Sequence, residues 1–536
     1  MEEAGYSLGI DSSTQGTTAV IVDLGSRSIA ARAKVRYRDD PRLSAFALDR
    51  AAPILPPREE GEADQPVGVF LAALDAVLSD LPGRMLAGVR AIAVSAQQHG
   101  QVWLSAGAPS AFADLRAAGS GAAGRPALAE RLASSLASDR SPIWMSSNTA
   151  SEADHLRKAA GGTVAMTALS GSDSPLRFSG AVLRHRALRE PELYAACRTV
   201  HLISSFLAGV FSGRADVPID WGNGAGTSLM DWEGRRWSDG LVAAAADGLP
   251  GGAAALSARL PELSHPLSRV GSVARYFTER YGIPADAIVV AGSGDNPQTK
   301  VLAGGGLLSL GTSFVLMTGG RAPHPAANAM YDGLGRPFLF GCRTNGALTW
   351  EAARLERGVG ADDFASCERA LASVPPGSSI RVLQTVAESF PASPTLDLGR
   401  GADFESDYSG VVDSSLGLLL LGSRSFDAGS TDPRETLAVT GGAAASDGTL
   451  KRIAALWNRP VARIGEAGAA AGAAVAAAVA LAPEPERDGL AAALAAAVSA
   501  PEPAVQPDPR FVAAYHGEAG YLRRLERAVA GFMRRS

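Results

Sequence analysis

The chain has 536 residues, of which 46% are hydrophobic and 20% charged, and its formal net charge is −5. That length calls for two domains with cores of their own, and the interspersed, mildly acidic charge excludes the basic footprint of a nucleic-acid binder. Three widely spaced cysteines, Cys197, Cys342 and Cys367, exclude a disulfide framework and a cysteine zinc site and point to a reducing compartment, the cytoplasm.

Met1 to Ile10 carries Glu2 and Glu3 and lacks a basic flank before an apolar core, so no secretory signal is expected. Tyr6 to Asp11 and Thr17 to Asp23 are runs of β-formers separated by Ser12 to Gly16, which predicts a hairpin with a small polar tip. Val67, Phe70, Leu71, Leu74, Val77, Leu78 and Leu81 recur at helical spacing, and Val89 to Val94 predicts a strand feeding the polar loop Ser95 to Gln101. Between Ser105 and Arg140 the composition turns to Ala, Gly and Ser, which predicts a surface excursion without a motif. The stretch Pro261 to Ser268 precedes a helix and the strand Ala287 to Ala291; it places the boundary at 265 and gives domains 1–265 and 266–536.

The second half repeats the opening idea. Leu307 to Leu310 and Phe314 to Met317 flank Gly311-Thr312-Ser313 as a second hairpin. Thr436 to Thr440 predicts a strand ending at Gly441-Gly442, and a helix starting near Ser446 or Asp447 carries Leu450, Ile453, Ala454 and Trp457. Ala467 to Ala482 is uncharged but rich in Ala and Gly, and shorter than the roughly 20 residues that span a bilayer. It predicts a packed helix, and no membrane partner is expected.

Small residues at Asp11-Ser12-Ser13-Thr14-Gln15-Gly16 let backbone amides approach an anion, while the carboxylate suits a hydrated metal ion. One such tip is also what an ordinary polar turn looks like; the second, at Gly311 to Ser313, strengthens the phosphate reading. Gly441-Gly442-Ala443 either offers bare backbone to a nucleoside or marks a tight turn at positive φ. His99 and Arg177 suit the hydroxyls of a polyol, a structural histidine and a surface ion pair being the plain alternatives. Asp295 follows Gly292-Ser293-Gly294, which leaves room for a substrate beside the carboxylate unless that side chain only caps a helix.

The paired tips resemble the phosphate loops of the actin and hexokinase superfamily, and Gly292-Ser293-Gly294-Asp295-Asn296 before Ser309-Leu310-Gly311-Thr312-Ser313 is similar to the FGGY carbohydrate kinases. Gln97-Gln98-His99-Gly100, Trp144-Met145, Arg177-Phe178-Ser179-Gly180, Pro218-Ile219-Asp220-Trp221 and Gly294-Asp295-Asn296-Pro297, in that order, resemble the eukaryotic-type xylulokinases. The resemblance runs from about Leu8 to Val475. It implies an α/β fold of two actin-like (ribonuclease H-like) lobes with the active site in the cleft between them, sugar on the N-terminal side and nucleotide on the C-terminal side. It implies that His99, Arg177, Asp295 and Asn296 contact a ketose and that Asp295 is the catalytic base. ATP would lie against Ser13, Thr14, Gln15, Gly311, Thr312, Ser313, Gly441, Gly442 and Ala443, with Asp11 positioning Mg2+. The sequence departs from the family pattern at Thr18, where a basic residue is common, at Ser146, where Asp is usual, and within Val411 to Arg434, where the usual acidic residue is not evident at Ser414 or Ser415.

The expected reaction is phosphoryl transfer from MgATP to the terminal hydroxyl of D-xylulose, giving the 5-phosphate and ADP, by a monomer or homodimer. The alternatives are a kinase for ribulose, erythrulose or an alditol, a non-catalytic sugar sensor of the same fold, and an actin-like assembly protein.

Overall fold

The alternation of β-formers around two small polar tips sets the frame of both halves. A computed structural model of the protein describes residues 5–46, 48, 53–117, 127–360, 362–390, 392–427, 435–465 and 468–533. The chain divides into two compact units, Met1–Leu302 with Ala329–Pro337 and Ala467–Val498, and Ala303–Asn328 with Phe338–Glu466 and Ser499–Ser536.

In the first unit β1 (Tyr6–Ser12), β2 (Gly16–Asp23), β3 (Ser28–Arg36), β4 (Val89–Ala96), β5 (Arg269–Ser272) and β6 (Ile288–Val290) form one sheet in the order β5-β6-β4-β1-β2-β3. The hairpin β1-β2 is antiparallel, with Asp11 opposite Thr18. Strands β1, β4 and β6 are parallel, with Asp11 opposite Ser95. Successive side chains of a strand face opposite ways, and the two faces differ in size. Leu8, Ile10, Ile92 and Val94 pack with helices α1 (Val67–Ser79) and α2 (Ile203–Ser212) in a large core. Gly9, Ala91 and Ala93 face the Ala-rich α3 (Gly468–Ala480). A Cβ on Gly9 would come within 1.9 Å of the Ala470 carbonyl oxygen, so glycine is what allows this strand and helix to meet.

The second unit repeats the pattern. Strands β7 (Leu307–Leu310) and β8 (Phe314–Gly319) form the second antiparallel hairpin, extended by β9 (Pro337–Arg343) on one side and by the parallel β10 (Leu437–Thr440) and β11 (Val461–Arg463) on the other. Helices Phe404–Asp427 and Asp447–Trp457 supply much of its core. The second of these starts as the sequence predicts: the Ser446 hydroxyl accepts the Thr449 N–H at 3.0 Å as an N-cap.

Two expectations need correction. The division does not fall at 265, because β5 and β6 pair into the first sheet beside β4, and because 467–498 returns to that unit. The stretch from Ser105 to Arg140 is not a surface excursion where it is described: helices Ala108–Arg116 and Leu128–Leu132 bury Phe112, Leu115, Leu128 and Leu132 in the large core, and residues 118–126 lie outside the described residues. In the poorly matching region near Ser414 and Ser415 the neighbouring Asp413 is a buried anchor, accepting from Arg452 Nη1 at 2.7 Å, Tyr515 Oη at 2.6 Å and the Gly377 N–H at 2.8 Å; 428–434 lie outside the described residues.

All three cysteines are free thiols, and among the described residues no helix is long and apolar enough to cross a membrane.

Candidate active site

The parallel strands β1 and β4 end side by side, and the short segment Ser293–Gly294 adds to that end of the sheet by pairing with Ser95 and Ala96. Loops leaving the carboxyl ends of parallel strands are where α/β sheets place ligands. At that end Asp11 stands at the close of β1, His99 follows β4, and Asp295 and Asn296 open the helix after Ser293–Gly294.

Asp11 is buried, and its two oxygens accept from Ser13 Oγ at 2.5 Å and Ser95 Oγ at 2.8 Å. Burial raises its pKa against the pull of those two hydrogen bonds and of Lys34. The Ser13 and Thr14 hydroxyls are engaged within the protein. Ser13 serves Asp11, while Thr14 Oγ1 accepts from Trp144 Nε1 at 2.8 Å and donates to Gln97 Oε1 at 3.0 Å. What the tip offers an anion is backbone: among the described residues the Thr14 and Gln15 N–H groups donate to no protein acceptor. The exposed Gln15 side chain accepts from Arg38 Nη2 at 3.2 Å.

His99 sits just past β4 in left-handed backbone, φ 70°, a conformation uncommon for a non-glycine residue. Its ring stacks on Phe178 with centroids 4.4 Å apart, and Nδ1 lies 3.0 Å from the Gly226 carbonyl oxygen. A carbonyl only accepts, so Nδ1 carries the proton and Nε2 presents a lone pair. Burial, and then the Arg177 charge, pushes the His99 pKa down to about 3, so the ring is neutral. Arg177 precedes Phe178 and makes no hydrogen bond or ion pair among the described residues. A neutral acceptor beside an unpaired guanidinium donor is a pairing that a polyol can satisfy.

Asp295 opens the helix Asp295–Lys300 and keeps a solvent-facing edge. Its Oδ1 accepts the Asn296 N–H at 2.8 Å and Asn296 Nδ2 at 3.3 Å, and Asn296 Nδ2 also reaches Gln98 Oε1 at 3.0 Å. Burial of the carboxyl, and next the negative charge of Asp11, raises its pKa to about 7. A carboxyl held there takes and gives a proton near neutrality, the property of a general base. The structure therefore brings Asp11, His99, Arg177, Asp295 and Asn296 into one neighbourhood of the first unit. The departure Ser146 is buried, with its hydroxyl donating to the Ala63 carbonyl at 3.1 Å, and Thr18 lies within β2. The roles of Gln97, Gln98 and Trp144 as braces of the loops were not legible, since each acts through partners far away in sequence.

In the second unit β7 and β10 are parallel, with Ser309 opposite Thr440, so the tip Gly311-Thr312-Ser313 and the turn at Gly441 leave the same end of the sheet. Gly441 has φ 97°, and a Cβ there would lie 2.5 Å from the Leu310 carbonyl oxygen. Gly442 has no atom within 4 Å of its absent Cβ, and Ala443 follows in a 3-10 turn. Gly441 thus makes a tight turn at positive φ, and Gly442 beside it has open space where a side chain would stand. The hydroxyls of Thr312 and Ser313 have no partner among the described residues.

No family model matches the chain. It is 29% identical to a xylulose kinase of Rattus norvegicus over 331 residues, 60% of this chain and 57% of that protein. It is 27% identical to xylulose kinase 2 of Arabidopsis thaliana over 314 residues, 57% and 53% of the two chains. The chain thus spans little more than half the length of the curated relatives it matches. In fold it is similar to a xylulose kinase structure from Brucella ovis, with a TM-score of 0.77 at 22% identity, covering 98% of this chain and 99% of that one. It is also similar to a Plasmodium falciparum glycerol kinase with ADP, with a TM-score of 0.71 at 13% identity, covering 98% and 96%. The α/β fold of two-lobed carbohydrate kinases is the fold of this chain.

Proposed function

We propose that the protein is a sugar kinase of the FGGY type that transfers the γ-phosphoryl group of ATP to the terminal hydroxyl of a ketose, D-xylulose, giving xylulose 5-phosphate and ADP. The observation that carries this reading is the Asp295 carboxyl, bonded by Asn296, in one neighbourhood with His99 and Arg177 at the end of a parallel sheet, where burial and the Asp11 charge raise its pKa to about 7. The likeness to xylulose kinases supports the choice of sugar.

In this reading Arg177 donates to sugar oxygens, His99 Nε2 accepts a hydrogen bond from a sugar hydroxyl, and Asn296 fixes the Asp295 carboxyl. As the terminal oxygen attacks the γ-phosphorus, Asp295 takes the hydroxyl proton, the bond to the β-phosphate bridging oxygen breaks, and ADP leaves. Most of the rate in such reactions comes from positioning and from stabilising charge on the transferred group. The amides of Thr14 and Gln15 and the free hydroxyls of Thr312 and Ser313 are donors of the kind this needs. Gly441, Gly442 and Ala443 leave bare backbone for the nucleoside.

Magnesium fits the residues present: among the described residues no three-ligand cluster exists, but Mg2+ at a nucleotide commonly takes one or two carboxylates and fills the rest with phosphates and water. Asp11 is the carboxylate that would hold it, through its water shell, and Mg2+ when bound supplies neutralisation of phosphate charge.

The test is sugar-dependent ADP release over ketopentoses, ketotetroses, alditols, glycerol and gluconate, with and without Mg2+. Fastest turnover with D-xylulose supports the specific reading. Preference for ribulose, erythrulose or an alditol moves the substrate within the same chemistry, and no ADP release with sugar binding retained leaves the sensor reading.

A further inference from the structure

Asp220 is 1% exposed and lies 75 residues before Asp295 in the chain, and nothing in the kinase reading gives it a task. Its carboxylate bonds two structural elements and reaches a third through the Asn223 amide. Oδ2 accepts the N–H groups of Gly222 at 2.8 Å and Asn223 at 3.2 Å, capping the five-residue helix Trp221–Ala225. Oδ1 accepts Asn223 Nδ2 at 2.7 Å, and that amide also donates to Ser204 Oγ at 2.9 Å, on α2. Oδ2 further accepts the hydroxyl of Ser293, two residues before Asp295.

The two ends of this network lead to the two residues on which the reaction turns. Ser293 and Gly294 form the segment that pairs with β4, and Asp295 follows at once. The capped helix ends at Gly226, whose carbonyl holds His99 Nδ1–H. There is no slack along either path. A Cβ on Gly222 would lie 2.7 Å from Ser293 Oγ, one on Gly226 3.1 Å from His99 Cε1, and one on Gly294 2.4 Å from Gln98 Cγ and 3.0 Å from Asn223 Oδ1. A cap alone needs one acceptor for one or two N–H groups. The bond to Ser293 is surplus to capping and joins the helix to the loop bearing the base.

We propose that Asp220 is a positioning residue that fixes Asp295 and His99 relative to one another, through Ser293 on one side and through the 221–225 helix and the Gly226 carbonyl on the other. The inference rests on the kinase reading for its catalytic consequence, and on geometry alone for the link to His99. It makes the orientation of the base and the tautomer of the sugar-facing histidine depend on one buried carboxylate that touches neither substrate.

The test uses the full chain with Ser293→Ala, Asp220→Asn and the double variant. Ser293→Ala removes the tie to the base but leaves the cap, so turnover should fall about tenfold while the sugar KM stays within twofold and the melting temperature barely moves. Asp220→Asn keeps the shape but substitutes a donor where two acceptors are needed, so the sugar KM should also rise, about fivefold or more. Residues that act through one network are not additive, so the double variant should match Asp220→Asn within about twofold in turnover. A second readout does not need activity: in histidine-labelled protein the His99 Nδ1–H resonance should persist in Ser293→Ala and shift or vanish in Asp220→Asn. Wild-type turnover in Ser293→Ala, or multiplied effects in the double variant, overturns the coupling to the base. An unchanged His99 resonance in Asp220→Asn overturns the coupling to the histidine. Wild-type protein inactive on every sugar defeats the kinase reading instead, and the resonance still decides the histidine link.

Discussion

At the scale of single residues, two titratable groups sit at opposite ends of their ranges, Asp295 raised to about 7 and His99 lowered to about 3. The sign for Asp295 sets two outcomes. A base works only when ionised, so kcat/KM should fall as pH drops below about 7, and the acid limb should vanish in Asp295→Asn along with about 10²- to 10⁴-fold of turnover. Because the folded pKa lies above the ordinary 3.8, the folded state favours the neutral acid. Its stabilising effect is full below about 3.8 and lost as pH rises through about 7. Asp295→Asn should therefore raise the melting temperature at pH 8 more than at pH 5, and an equal change at both values would sink the assignment. For His99, replacement by Ala should weaken sugar recognition by about 1–3 kcal/mol, read as a raised sugar KM with ATP affinity unchanged. Asp11 and Asp295 were legible because each stands among small residues at the end of a strand. Asp220 could be quoted but not interpreted, since its meaning lies in a hydroxyl 73 residues away.

At the scale of elements, periodicity told most where side chains alternate in size. Both hairpins and the Gly441-Gly442 turn before a capped helix appear where the pattern of β-formers and small residues places them. The region after Ser105 was misread because its composition is dominated by Ala and Ser, while the four large residues that anchor it are split between two short helices. The Ala-rich α3 was legible as a packed helix, but not its destination, since Ala carries no signal of what it packs against. Its close approach to β1 gives a sharp expectation. In Gly9→Ala the new methyl group meets the Ala470 carbonyl and lies 2.3 Å from the Ala474 amide nitrogen, backbone that cannot rotate away. Overpacking of this kind costs about 1–3 kcal/mol or more. Urea unfolding of Gly9→Ala should show a lower midpoint, and a wild-type midpoint would mean that α3 does not lie where it is placed.

At the scale of the molecule, the two units carry the same strand plan, a hairpin extended by parallel strands, and each offers a small polar tip at the same end of its sheet. The sequence shows that repetition but not its interleaving: the first unit is assembled from three stretches of chain and the second from three others. The physical reason is that α3 covers a sheet face whose Gly9, Ala91 and Ala93 come from the first hundred residues and whose Ile288 and Val290 come from β6. A chain truncated after residue 460 keeps every strand of the first sheet but lacks this cover. It should be cleaved by protease within the first unit under conditions where the full chain resists, and equal resistance would show that the first unit closes without α3.

The position of α3 also sets a timetable. A ribosome that has finished β4 must add some 380 further residues before α3 emerges, and at about 5–20 residues per second that takes roughly 20–75 s. Throughout that interval one side of the earliest sheet is bare, with its alanines and glycine exposed to whatever else the cell is making. Slowing or speeding elongation between the two segments should change how much protein reaches the soluble fraction, although the finished molecule would be the same.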